Sequence, residues 1–69
     1  MFVESIEYYN DSLAQVSIIS SATPSTFPAS SDDVDGMRDG VSFAPGSTIY
    51  VTADASVYMY SPAGEWVLQ

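Results

Sequence analysis

The chain contains no cysteine, no histidine and no lysine, and arginine occurs once. Each absence removes a class of chemistry. Without cysteine no disulfide can staple the fold, and without cysteine or histidine the usual structural zinc sites are out of reach. A serine nucleophile needs a neighbouring base, and neither histidine nor lysine is present to serve. With nine acidic residues the formal net charge is -8. A polyphosphate surface repels such a chain, which argues against direct nucleic-acid binding, and anionic membranes repel it for the same reason. No apolar run approaches the roughly 20 residues needed to span a bilayer as a helix. The start, Met1-Phe2-Val3-Glu4, has neither a basic nor an apolar signal region, so synthesis and use without export are expected.

What is present is apolar content of 46%, too high for a disordered chain, in only 69 residues. This length allows one domain, and so small a domain buries only about 60% of its unfolded surface. Oligomerisation or docking on a larger body is the compensation still open to it.

Residues 1–19 fit two patterns. Phe2, Val3, Ile6, Tyr9, Leu13 and Val16 follow helical spacing. The alternative is a hairpin with strands of about 3–9 and 12–19 around a two-residue turn at Asn10-Asp11, since both residues tolerate left-handed backbone. The β-branched and aromatic flanks favour the hairpin. Residues 20–47 divide into a Ser/Thr/Pro-rich stretch to Ser31, read as an extended arm, and an acidic, glycine-containing loop. Phe27, the lone large apolar residue of the arm, either anchors in a neighbour's pocket or folds back on its own core. Residues 48–69 read as a three-stranded antiparallel meander: 48–52, 57–60 and 65–68, with turns at Ala53-Asp54-Ala55-Ser56 and Ser61-Pro62-Ala63-Gly64. Alternation puts Ile49 and Val51 on one face against Tyr50, and Tyr58 and Tyr60 against Val57 and Met59. Both faces are therefore apolar or aromatic. One is expected to meet the hairpin and the other a partner. The expected fold class is all-β.

One polar cluster resembles a site. Asp33-Val34-Asp35-Gly36, with Asp39 further on, echoes part of a calcium loop. In that template Ser31 would occupy the first ligand position and Ser42 the twelfth, where an aspartate and a bidentate glutamate are required. The cluster is read as a solvated acidic turn. A pair of carboxylates for glycoside hydrolysis also needs a cleft that so short a chain can hardly enclose. No catalytic residue, metal or cofactor is assigned, and the chain is expected not to be an enzyme. Arg38 pairs with Asp33, Asp35 or Asp39, or anchors an interface. The aromatic residues are divided between core and interface, because tyrosine and tryptophan combine apolar area with a polar tip. The candidate interface residues are Phe27, Arg38, Tyr50, Tyr58, Tyr60 and Trp66.

The run Gly46-Ser47-Thr48-Ile49-Tyr50-Val51, the acidic turn after it, Val57-Tyr58-Met59-Tyr60 and Trp66 carry a resemblance over about a third of the chain. The pattern G-S-x-x-Y-V, then V-Y-M-Y or V-Y-M-F, then a tryptophan, resembles small virion proteins of tailed bacteriophages, including head-associated and fibre-attachment proteins. The resemblance implies a multi-copy or oligomeric structural protein of the virion, made in the host cytoplasm. Its implied roles are head decoration, fibre attachment or another capsid-associated role. The implied partners are other virion proteins, such as capsid, portal or neck, and fibre subunits, with no nucleic acid, membrane or small-molecule substrate. Two other readings remain: an acidic inhibitor that mimics nucleic acid toward a host DNA-binding protein, and a calcium-stabilised adhesion module.

Overall fold

The structure is a computed structural model covering all residues from Met1 to Gln69. It is all-β: a single sheet of six strands, β1 (Phe2–Tyr8), β2 (Leu13–Ser20), β3 (Ser42–Phe43), β4 (Thr48–Val51), β5 (Ser56–Tyr60) and β6 (Trp66–Leu68). The spatial order is β1-β2-β4-β5-β6, with β3 also paired to β2. The N-terminal hairpin and the C-terminal meander are both present. They do not stack face to face, however. They join edge to edge, because β2 pairs with β4 in parallel, Ser17 opposite Thr48 through Ser20 opposite Val51.

One step of the helix-like spacing at the N-terminus, from Val3 to Ile6, has a specific cause. The β1–β2 register shifts between Val3 and Ser5, so Val3 lies opposite Ile18, Ile6 opposite Val16 and Tyr8 opposite Ala14. An extra residue in one strand lets positions three apart share a face. Val3 and Ile6 thus both pack on the core, whereas Phe2 and Tyr9, which share the helix-like spacing, stay exposed. The turn also differs from the expected two-residue form. Neither Asn10 nor Asp11 is left-handed; the one non-glycine residue with positive φ is Ala55, at 60°. Instead the amide of Tyr9 donates to the Leu13 carbonyl at 2.9 Å, and Asn10 Oδ1 accepts from the amide of Ser12 at 2.8 Å. The side chain of Asn10 shapes a loop of residues 10–12 without a strained backbone.

Parallel pairing of β2 with β4 requires the chain to travel back along the length of β2. Residues 21–41 make that return. A helix usually does this, but Pro24, Pro28 and the serine-rich composition permit only two 3-10 turns, Pro24–Thr26 and Ser31–Asp33. The expected extended arm is therefore a cover folded over one face of the sheet. The arm brings Phe27 against the core, and the acidic loop after it contributes Val34, Met37 and Val41 to a core that also holds Ala14, Val16, Ile18, Phe43, Ile49 and Val51. The acidic loop is only partly solvated for the same reason.

The chain rejoins the sheet in two steps on the same flank of β2. β3 pairs with Leu13 and Ala14, and β4 with Ser17 onward. Between them the ladder is broken by the Ala44-Pro45-Gly46-Ser47 turn, closed by the Ser47 amide donating to Ala44 at 3.1 Å. Proline pre-sets the first central position, and Gly46 takes a φ of 96° that other residues reach only with strain. Side chains repair the gap in β2: Ser47 Oγ accepts from the Val16 amide at 3.1 Å, and Gln15 Nε2 donates to the Gly46 carbonyl at 3.2 Å. Two other buried serines act similarly. Ser31 Oγ accepts from the Val41 amide at 2.9 Å, and Ser20 Oγ accepts from Ala22 at 3.0 Å. Ser47 and Ser31 each meet a buried donor that would otherwise cost about 1–3 kcal/mol, and the Ala22 amide met by Ser20 is part-buried.

Candidate functional site

The alternation read from the sequence places two sets of side chains on the meander, and the cover segment decides which set is left for others. Ile49 and Val51 are buried beneath the cover, and Tyr58, Tyr60 and Trp66 are half-buried against the same core. Tyr58, Tyr60 and Trp66, expected to face a neighbour, are met on one side by the chain's own residues and keep part of their surface exposed. Phe27 sits edge-on to Tyr58 with ring centroids 5.0 Å apart and 6.2 Å from Trp66. Phe43 and Tyr60 flank the indole at 5.4 and 4.9 Å. The indole Nε1 donates to the Pro28 carbonyl at 2.9 Å. Of the two roles open to Phe27, the structure selects the intramolecular one. The aromatic cluster clamps the cover onto β5 and β6.

Arg38 is also used internally. Its guanidinium lies over the Tyr8 ring, 3.7 Å from the centroid, and its backbone amide donates to Tyr8 Oη at 3.0 Å. Its acidic neighbour is Asp11, at 3.9 Å, rather than Asp33, Asp35 or Asp39. Both side chains of that pair are exposed, so the stacking on Tyr8 is the more substantial contact. The arginine ties the end of the cover to β1.

The acidic loop spends carboxylates on its own backbone. Asp33 Oδ2 accepts from the Ala29 amide at 3.2 Å, and Asp32 Oδ1 from the Gly40 amide at 3.3 Å. No three acidic side chains converge in a way that could hold a metal ion. These aspartates brace the cover.

What remains is the opposite face, where the register lines up an apolar row across four strands. Phe2 lies opposite Ile19, Ile19 opposite Tyr50, and Tyr50 opposite Val57. A second row runs Ser17, Thr48, Met59, Val67. Phe2, Tyr50, Val57, Met59 and Val67 are all exposed, Phe2 at 64% and Val67 at 44%. Tyr50 is the one sequence-selected interface residue on this face. Phe2, Val57, Met59 and Val67 join it from outside the sequence-based candidates, although strict alternation opposite Tyr58 and Tyr60 marks Val57 and Met59. Beside Met59 and Val67 lies a shallow hollow of about 300 Å³, bounded also by Pro45, Gly46, Tyr60 and Pro62. A second hollow of about 260 Å³ opens between the cover and the sheet near Met1, Ser20, Phe27 and Ile49. No charged side chain lines either one. Hollows of this kind suit an inserted apolar side chain.

Compared with protein-family models, with curated proteins and with solved structures, the chain matches none.

Proposed function

We propose that the chain is a non-catalytic assembly module, a small structural protein of a tailed-bacteriophage particle that docks in many copies on a larger protein surface. The observation that carries this reading is the open apolar face. A monomer that had finished burying its apolar surface would alternate polar residues outward. Here tyrosine, valine and methionine occupy those positions on β4 and β5. The assignment to a virion rests on the resemblance of the Gly46–Trp66 segment, which contains the strands presenting that face. Attachment to a particle would also supply the outside support that a small cysteine-free chain needs.

The role within a particle is head decoration, fibre attachment or another capsid-associated position. Contact is non-covalent, through side chains of β4, β5 and β6. Quantitative mass spectrometry of purified phage particles, from cells carrying this gene, tests the reading. Presence at many copies per particle is the expected result, and absence from particles ends it.

A further inference from the structure

We infer that the open face of β4, β5 and β6 docks on a basic-flanked apolar surface of a different protein, with Asp54 and Glu65 as the two anionic ends of the contact. This names the partner chemistry for the assembly reading above and rests on it only for the place where the contact is made.

The centre of the proposed contact is Tyr50, Val57, Met59 and Val67. Cross-strand register makes these four contiguous: Tyr50 opposite Val57, and Met59 opposite Val67. Together with the hollow beside Met59 they form a patch with room for an inserted side chain. Charge is placed at its two ends. Asp54 lies in the turn before β5, and Glu65 immediately precedes β6, whose Trp66 pairs with Tyr60 at the far end of β5. At about 3.4 Å per residue the two carboxylates stand on the order of 20 Å apart along the strands. Both residues are exposed. Asp54 Oδ1 also accepts from the Ser56 amide at 3.1 Å, which fixes its position.

No cationic side chain of this chain lies at the patch. The chain's one cationic side chain, Arg38, is engaged on Tyr8. Four more aspartates, Asp32, Asp33, Asp35 and Asp39, belong to the cover on the other side of the sheet. A partner is therefore met by an apolar centre between two negative ends, within an overall field of -8. The complement is an apolar surface flanked by lysine or arginine, for which the field would also raise the rate of encounter. The same charge disfavours a second copy as the occupant, since it would bring another -8 toward the first. Size is consistent with a protein partner. The chain measures 33 × 23 × 18 Å, which limits a flat face to roughly the 800 Å² that each side of a standard interface contributes.

The test is an amide and methyl NMR titration of the full chain with two synthetic strand-forming peptides. They share a Val/Tyr centre and differ only in carrying lysine or glutamate at both ends. The lysine peptide is expected to shift Tyr50, Val57, Met59 and Val67, with the glutamate peptide silent. Asp54→Asn with Glu65→Gln should weaken the response about tenfold. The asparagine retains the oxygen that accepts from Ser56, so the turn is preserved. Val67→Asp should abolish the response while the native spectrum of the covered side persists. Equal response to both peptides, or shifts centred on Phe27 and Trp66, overturns the inference. Concentration-dependent dimerisation in analytical ultracentrifugation, suppressed by Val67→Asp, overturns it in favour of a second copy. Failure of the titration with the protein present in particles removes this surface alone. Success with the protein absent from particles removes the virion assignment alone.

Discussion

The two faces of the sheet's C-terminal half, β4 to β6, are both built from apolar and aromatic residues, yet only one is finished. On the covered face Ile18 and Ile49 are at most 1% exposed, and Phe27, Tyr58, Tyr60 and Trp66 lock the cover in place. On the open face Phe2, Tyr50, Val57, Met59 and Val67 have no intramolecular cover. Sequence apolarity alone does not distinguish them. The difference comes from residues 21–41, which are long enough to close one side and which the parallel β2–β4 pairing commits to that side. A chain of this size has one segment to spend as a lid, and the other face is left to the outside.

Substitutions at matched positions on the two faces should separate them by stability. The largest effect is expected for Ile49→Ala, which empties a fully buried site where β4 meets the cover. The loss should be about 3 kcal/mol in urea unfolding, a large part of the stability of so small a domain. Val57→Ala, on the strand beside it but on the open face, should change stability by less than about 0.5 kcal/mol. Similar losses at the two positions would erase the distinction between the faces.

A smaller effect is expected at the clamp. Trp66→Phe keeps an aromatic ring beside Phe43 and Tyr60 but removes the donor to the Pro28 carbonyl. About 1–2 kcal/mol should be lost, and amide exchange should quicken in residues 24–30 before it quickens in β2. Uniform acceleration through the sheet would mean that the tryptophan is ordinary core and not a clamp on the cover. The smallest effect is expected for Arg38→Ala, less than about 1 kcal/mol, from loss of the stacking on Tyr8. It should depend only weakly on salt, because the Asp11 pair is exposed and contributes little. A strong salt dependence would reverse that order of importance.

The alternation of β4 and β5 and the turn residues between them were legible in the sequence, and so was the existence of the N-terminal hairpin. The bulge after Val3 was not, because an inserted residue imitates one helical step when strand partners are unknown. The parallel β2–β4 pairing is a long-range register with no local signal. The inward packing of Trp66, Tyr58 and Phe27 depends on that pairing, so the contacts by which these aromatics hold the cover had no local signal. A signal for the cover was nevertheless present. Val34, Met37, Val41 and Phe43 punctuate a stretch otherwise polar enough to pass for a solvated loop, and apolar side chains repeated through such a loop call for a surface to bury them. Alternation also marked Val57 and Met59 as facing away from Tyr58 and Tyr60.

Hydroxyl-radical footprinting of the protein, free and bound in purified particles, tests the contrast between the faces most directly. The account predicts that Met59 and Tyr50 are oxidised in the free chain and protected on the particle, while Phe27 and Trp66 react equally in both. Protection of Phe27 and Trp66 on assembly, with Met59 unchanged, would contradict it.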